Sequence, residues 1–216
     1  MKTKLIFSAV SVVLVLSLIS AVSAQLSAGV KKGDWIEYQV TFTGTPSADH
    51  SITSARMEVL DVSGPLIYVN IVSTYANGTQ VSTNSTLNLQ TGQLIDDFII
   101  PANLKTGDQF FDSRVGNITI SSTEQRTYAG ATRTVVSATS LNNTYVWDQA
   151  TGISVEGNSA GTDYTMHSLA TATNIWQAQT STVDPVIVYA LVILAAIIIA
   201  AAVVIVVMRR KEKTKT

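Results

Sequence analysis

The chain of 216 residues contains no cysteine, only two histidines and only four prolines. Without cysteine it cannot form a disulfide, a thiolate nucleophile or a zinc site with sulfur ligands, so packing and hydrogen bonds must hold any exported domain together. His50 and His167 make neither an H-x-H nor an H-E-x-x-H zinc motif. No zinc site is therefore predicted.

Basic residues are scarce in the middle of the chain. Between residues 25 and 184 there are seven basic and 14 acidic residues, so this region has a net charge near −7. Binding of nucleic acid needs a basic surface, and we therefore predict that nucleic acid is not a partner.

Charge is missing altogether from one long apolar run, Val186–Met208. About 23 residues of helix reach roughly 34 Å, enough to cross a hydrocarbon core of ~30 Å. Arg209-Arg210-Lys211 follows directly, and such basic clusters stay on the cytoplasmic side. The pattern predicts a transmembrane helix, 186–208, that anchors the protein in the plasma membrane. It also predicts a basic cytoplasmic tail, 209–216, and the rest of the mature chain outside.

The beginning of the chain has the pattern of a secretory signal. Lys2 and Lys4 precede an apolar run, Leu5–Ile19, and small residues at 21–24 offer a cleavage site after Ala24. We predict a signal peptide, 1–24, with an uncleaved N-terminal anchor as the alternative. The exported part then consists of a β domain, 25–176, and a short polar stalk, 177–185.

Alternating apolar and polar residues characterise the exported part. Trp35–Phe42 alternates in this way, and Asn77-Gly78 between two such runs favours a tight hairpin. We predict an all-β, antiparallel sheet domain of roughly eight to eleven strands, either a sandwich or a curved half-barrel. Thr127–Ala138 is predicted as one strand, and Asp96–Leu104, which contains a proline, as an edge or a loop.

Two pairs of similar segments suggest an internal repeat. Lys31–Trp35 (KKGDW) resembles Lys105–Phe110 (KTGDQF), and Gln90–Gly92 (QTG) resembles Ala150–Gly152 (ATG). The alternative is that β proteins reuse the same turn chemistry without duplication.

Five segments together resemble a set of exported, membrane-anchored proteins of archaeal type. These segments are GVKKGDWIEYQV (29–40), IPANLKTGDQF (100–110), YAGATRTVV (128–136), YVWDQATGISVEG (145–157) and ATNIW (172–176). Proteins of this set carry a "GDW…Y" start and a "YWDKATG" hairpin and have no assigned activity. Here Gln149 stands where that pattern has lysine, and Val146 precedes Trp147 where tyrosine is usual. The resemblance implies a shared β fold and brings no catalytic residue.

One segment matches a hydrolase motif letter for letter. Gly157–Gly161 reads G-x-S-x-G, and Asp163 and His167 follow in the order used by α/β-hydrolases. A nucleophile elbow requires a helix directly after the serine, whereas residues 162–175 alternate like a strand. We therefore interpret Gly157–Gly161 as a flexible hairpin loop, and Ser159 as an ordinary hydroxyl. No catalytic residue is predicted.

Other candidates for a site have simple structural interpretations. Asp96-Asp97 could contribute to a calcium site, but no D-x-D-x-D-G loop is present, and a solvated acidic turn is the preferred interpretation. Trp35, Trp147 and Trp176 are interpreted as core aromatics, with a ligand cleft as the alternative. No metal and no cofactor is predicted.

Four N-x-[ST] sequons mark candidates for glycosylation. The acceptor residues are Asn77, Asn84, Asn117 and Asn142. About a quarter of the domain is serine or threonine, so chance alone would give some of these sequons.

The sequence favours a non-enzymatic surface protein. We expect its β domain to bind a partner protein, a glycan or an envelope polymer. The alternatives are a structural component of the envelope, and a hydrolase or lipid carrier with an apolar cleft.

Overall fold

The computed structural model describes residues 26–46 and 50–179. The chain divides into two compact units, 1–178 and 179–216, and all described residues except Gln179 belong to the first. The predicted signal peptide, transmembrane helix and tail lie outside the described residues. Among the residues that are described, no helix has the length and apolar character needed to span a membrane.

The described residues form an antiparallel all-β domain, as predicted. The strands are β1 (Trp35–Gly44), β2 (Ile52–Ser63), β3 (Leu66–Tyr75), β4 (Gln80–Asn88), β5 (Gln109–Asp112), β6 (Gly116–Thr119), β7 (Ser122–Tyr128), β8 (Ala131–Ser140), β9 (Asn143–Asp148), β10 (Ser154–Ala160) and β11 (Tyr164–Thr173). Nine of them form one sheet in the order β4-β3-β2-β1-β11-β10-β9-β8-β7, and β5 and β6 form a separate hairpin. One large sheet agrees better with the curved-sheet alternative than with a sandwich of two sheets.

Local sequence accounts for most of the hairpins. Between β3 and β4, Gly78 has a φ of 82°, and the Asn77 side chain accepts a hydrogen bond from the Thr79 backbone N–H at 2.9 Å. Both features are what an Asn-Gly turn supplies, since glycine tolerates positive φ and asparagine can cap its own turn. The predicted hairpin is therefore confirmed.

The segment between β4 and β7, residues 89–121, is here called the crossing segment. Because β4 and β7 are the two edge strands, this segment must run from one edge of the sheet to the other. It crosses over one face, where its fully buried Ile99 and Ile100 pack beside Ile36 and Trp147. We call this face, which carries Ile36, Tyr38, Met57 and Trp147, the inner face. The chain thus fills its own inner face.

The strand predicted at Thr127–Ala138 is wrong as a single element. The chain reverses at Ala129 and Gly130, which have φ values of 45° and 78°, and separates β7 from β8. The alternation breaks at this point, since residues 128–131 (YAGA) are apolar or glycine and residues 132–134 (TRT) are polar. Gly130 is also a turn signal, which the prediction of one strand did not use. The prediction also placed no strand over residues 122–126, which form most of β7.

The two KxGD turns have the same hydrogen bonds. Asp34 Oδ2 accepts from the Lys31 backbone N–H at 2.9 Å, and Asp108 Oδ2 accepts from the Lys105 backbone N–H at 2.8 Å. In both turns the intervening glycine has a positive φ, 86° at Gly33 and 92° at Gly107. Reuse of turn chemistry could explain this much of the likeness.

The likeness continues into the strands that follow. Val59 donates to the Asp34 carbonyl at 2.8 Å, and Ile120 donates to the Asp108 carbonyl at 2.9 Å. Two residues further along, a buried pair follows in each copy, Ile36 opposite Met57 and Phe110 opposite Ile118. The two copies therefore share both the turn and the spacing from the turn to a buried pair of residues. This likeness favours internal duplication over reuse of a turn.

The second similar pair consists of tight turns pressed against backbone. Gly92 and Gly152 both have a φ of 73°. A Cβ at Gly152 would lie 2.0 Å from the Ile100 carbonyl oxygen, and one at Gly92 would lie 2.4 Å from that of Phe111. Only glycine fits such a close approach. The Gly152 turn therefore holds the crossing segment against the sheet, whereas the Gly92 turn packs two parts of the crossing segment together.

Candidate binding face

The sheet has a second, polar face opposite the crossing segment. On β1 this face carries Trp35, Glu37, Gln39 and Thr41, which alternate with the buried residues of the inner face. The register places Arg56 and Glu58 of β2, Asn70 of β3, Asn84 of β4, Glu156 and Asn158 of β10 and His167 of β11 on the same side. We call these residues and their neighbours on this side the polar face.

A cation, an aromatic ring and a carboxylate meet on the polar face at β1 and β2. The Arg56 guanidinium lies 4.0 Å from the centre of the Trp35 ring, and its Nη1 is 2.6 Å from Glu37 Oε1. A cation–π contact and an ion pair together hold the guanidinium between the Trp35 ring and Glu37. Trp35 is half-buried, so its interpretation as a core aromatic is wrong.

Further along the sheet, the polar face is organised around Glu156. Its Oε1 lies 3.0 Å from His167 Nε2, and its Oε2 accepts a hydrogen bond from the Tyr128 hydroxyl at 2.6 Å. Arg126 Nη1 approaches the same oxygen at 3.4 Å. Burial opposes ionisation of Glu156, but the hydrogen bonds from Tyr128 and His167 outweigh it, and the net pKa is lowered. Glu156 is therefore a carboxylate that accepts from three sides.

The contact between Tyr128 and Glu156 shows that the sheet bends here. Tyr128 is on β7 and Glu156 on β10, three strands away in the sheet order, which in a flat sheet would be roughly 14 Å. Side chains of this size meet only if the sheet curves toward the polar face. Burial and the Glu156 hydrogen bond raise the pKa of Tyr128 to about 12, so its hydroxyl stays a donor at neutral pH.

At β8 and β9 the polar face is covered by a group of buried and half-buried side chains. Arg133 makes a bidentate contact with Asp148, Nε to Oδ2 at 2.8 Å and Nη2 to Oδ1 at 3.3 Å. The guanidinium also lies 4.8 Å from the centre of the Trp176 ring, and Trp176 Nε1 donates to the Tyr128 carbonyl at 3.1 Å. Trp176 and the fully buried Trp147 are core aromatics, as predicted.

The G-x-S-x-G segment is a strand and not the predicted loop. β10 continues to Ala160, and Ser159 pairs opposite Met166. The Ser159 hydroxyl donates to Asn143 Oδ1 at 2.9 Å, while His167 is bound to Glu156. Gly161 and Asp163 lie in the turn that follows, so residues 157–167 form a hairpin and not the strand–turn–helix of a nucleophile elbow.

The prediction of a solvated acidic turn at Asp96-Asp97 is correct for Asp96 and wrong for Asp97. Asp96 is largely exposed, but Asp97 is buried. Within the described residues, no group of three or more His, Asp or Glu side chains could hold a metal ion. His50 lies in a loop and contacts the Tyr164 ring, with 5.9 Å between the ring centres.

All four sequon asparagines are exposed. Asn77 lies in the β3–β4 turn, Asn84 on edge strand β4, Asn117 on β6 and Asn142 in the β8–β9 turn. Asn84 Oδ1 accepts a hydrogen bond from Asn70 Nδ2 at 2.7 Å. Glycosylation at these positions stays a prediction.

Sequence reasoning did not find the Glu156 cluster. Glu124, Arg126 and Tyr128 are far from Glu156 in the chain, and Thr127–Ala138 was read as one strand. The only signal available was the alternation of charged residues at 124 and 126 with Tyr128 on the same side of a strand. That pattern predicts that Glu124, Arg126 and Tyr128 lie on one side of a strand, but it does not predict their contact with Glu156.

Comparisons with known proteins identify no family. No protein-family model matches the chain, and no curated protein matches it. A solved structure titled "The Siderocalin Ex-FABP functions through dual ligand specificities" is similar to this chain with a TM-score of 0.26 and 8% identity. The match covers 72% of this chain and 80% of that chain. A similarity at this level carries no argument about fold or ligand.

Proposed function

We propose that this is a single-pass surface protein of the plasma membrane that displays a non-enzymatic binding domain. The anchor is the helix predicted at 186–208, and the β domain lies outside. The observation that carries the proposal is the division of the sheet into two faces. The crossing segment fills the inner face, and the part of the polar face from β4 to β10, which is rich in amide, hydroxyl and charged groups, is left available for a partner.

The chemistry of the polar face favours a carbohydrate of the cell envelope as the ligand. Neutral groups that both donate and accept hydrogen bonds, such as Gln39, Thr41 and Asn158, are exposed on β1 and β10, the two strands that flank β11. The net charge of the exported part, near −7, disfavours acidic polymers. An envelope protein is the alternative ligand, and the experiment below separates the two.

The other two hypotheses have less support. A lipid carrier needs an apolar cavity, and in the described residues the inner face is occupied by the chain's own Ile99, Ile100 and Phe110. A hydrolase needs a base held against a nucleophile, whereas the Ser159 hydroxyl is bound to Asn143. A structural envelope component would use the same surface, but at high and even copy number.

The test uses the full chain displayed on cells and a panel of purified envelope glycans. We expect binding in the micromolar range that is lost when Gln39 on the polar face is replaced by arginine. Gln125→Arg is the matched control, because Gln125 is equally exposed, lies on the other side of edge strand β7 and undergoes the same change of charge. Binding to de-glycosylated envelope protein with no binding to the glycans would replace the carbohydrate by a protein partner. Equal loss in both variants would contradict the assignment of the face.

A further inference from the structure

Two carboxyl groups of the crossing segment are buried. Asp97 and Asp112 are 2% and 0% exposed, and both carboxyl groups lie near the same nitrogen, Arg114 Nη2, at 3.9 and 3.7 Å. Asp97 is in the turn after Leu94, and Asp112 ends β5. Two adjacent carboxylates without solvent repel each other strongly, so they cannot both be ionised at low cost.

One oxygen of each carboxyl group has no hydrogen-bond partner. Asp112 Oδ1 accepts from the backbone N–H groups of Arg114 and Val115, but Asp112 Oδ2 and Asp97 Oδ1 accept from no donor. The Arg114 guanidinium is near, with Nη2 at 3.7 Å from Asp112 and 3.9 Å from Asp97, but both distances exceed a hydrogen bond. Its Nη1 instead binds the exposed Asp96 at 2.7 Å.

A single proton would satisfy both of these oxygens. We propose that Asp97 is protonated and donates a hydrogen bond to the Asp112 carboxylate, and that this proton-binding pair is a pH-sensitive latch for the crossing segment. Asp112 is the ionised member, because it already accepts from two backbone N–H groups. Burial of both carboxyl groups, their two unpartnered oxygens and the Arg114 nitrogen near both of them support this assignment.

The electrostatic surroundings support it. Burial, followed by the hydrogen bond and the charge of Asp112, raises the pKa of Asp97 to about 7, against the opposing effect of Arg114. The charged and titratable groups that face the pair are Arg114 in the β5–β6 turn, Asp96 on the neighbouring residue and Tyr145 on β9. Of these, only Arg114 favours ionisation of Asp97.

Asp97 is placed where its ionisation would affect the fold. Ile95, Asp96 and Asp97 have φ values of 49°, 53° and 56°, a left-handed turn that is unfavourable for L-residues and must be held by its surroundings. The Asp97 carbonyl accepts the hydrogen bond of the buried Trp147 indole at 2.7 Å, and the next residue, Phe98, packs against Tyr38. Loss of the proton therefore weakens the point where the crossing segment meets the inner face.

The sign of the pH dependence follows from the raised pKa. The folded state holds a proton that the unfolded state releases at its ordinary pKa near 4, so the stabilisation is complete below about pH 4. It is lost as the pH rises through about 7. Most carboxylates in proteins show the opposite sign, because their pKa is lowered on folding.

The test compares Asp97→Asn with Asp96→Asn in the full chain, purified in detergent. An asparagine can donate to Asp112 as the protonated aspartic acid does, but it does not titrate. We expect the thermal midpoint of the wild type to fall by about 5–10 °C from pH 5 to pH 8. In Asp97→Asn the midpoint should stay nearly constant and exceed that of the wild type at pH 8. The control Asp96→Asn removes a carboxylate one residue away and should keep the wild-type fall.

Three results would overturn the proposal. One is a fall of the thermal midpoint between pH 5 and pH 8 that is the same in Asp97→Asn and in the wild type. Another is a wild-type carbon-13 carboxyl titration in which no buried aspartate titrates above pH 5, a measurement that holds even if the variant does not fold. The third is a rise of the wild-type midpoint at pH 8 on addition of calcium that Asp97→Asn does not show, since the pair would then bind a cation and not a proton.

Discussion

Replacement of Trp147 tests how the crossing segment is held on the sheet. This side chain is fully buried, stacks on Tyr145 with 5.5 Å between ring centres and meets Phe110 edge-on at 5.6 Å. Its indole N–H also donates to the Asp97 carbonyl. Trp147→Ala removes all three contacts and leaves a buried carbonyl without a donor.

The expected cost is about 4–6 kcal/mol. Truncation of a buried tryptophan costs roughly 3–5 kcal/mol, and an orphaned buried acceptor adds about 1 kcal/mol. Trp147→Phe keeps an aromatic ring and should cost roughly 2–3 kcal/mol, much of it from the lost hydrogen bond and a small cavity. Trp35→Ala is the control, because Trp35 is half-buried on the polar face and loses mainly its contact with Arg56, about 1 kcal/mol.

Pulse proteolysis of the full chain in urea measures these differences, since it reports the folded fraction of the β domain without requiring the predicted transmembrane helix to unfold. A total stability of 5–15 kcal/mol is typical of a domain, so Trp147→Ala should lose a large part of it. A cost below about 1 kcal/mol for Trp147→Ala, or one no larger than for Trp35→Ala, would refute the role given to this contact.

Three further predictions concern single positions or short segments. Gly152→Ala should lower the free energy of unfolding, measured in urea, by more than about 2 kcal/mol because the new Cβ would meet the Ile100 carbonyl. Gly64→Ala is the control: Gly64 also has a positive φ but lies in open space, so the loss should be about 1 kcal/mol. Equal losses in the two variants would contradict the close approach at Gly152. Ser159 should not react with a fluorophosphonate probe, and Ser159→Ala should cost about 1 kcal/mol through the lost hydrogen bond to Asn143; specific labelling would revive the hydrolase. Protease added to intact cells should remove the β domain and leave the tail, and replacement of residues 209–211 by glutamate should weaken this orientation; protection of the domain would mean that it is inverted.

The fold was largely predictable where local chemistry decides it. The Asn77-Gly78 turn and the alternation of β1 follow from backbone preferences and burial of one face, and both were read correctly. The turn at Ala129-Gly130 was missed although the alternation breaks there and Gly130 favours a turn, because two β-rich runs were joined into one predicted strand. The pairing of β7 with β8 separates the two runs.

The candidate site was much less predictable, for a reason of distance along the chain. The contact of Tyr128 with Glu156 depends on a bend across four strands, and no local pattern encodes such a bend. Asp97 illustrates the same limit. Beside Asp96 it reads as a solvated turn, and only the crossing segment brings it against Asp112.

The central claim is that the polar face is the recognition surface. The most direct test is to map, residue by residue, where the ligand contacts the protein. Backbone NMR shifts of the full chain in detergent should be followed during titration with the envelope glycan that binds best. We predict that the amides of Gln39, Thr41 and His167 shift together, at one micromolar affinity, while those of the crossing segment do not. Shifts confined to residues 89–121, or none on the polar face at saturating glycan, would contradict the claim.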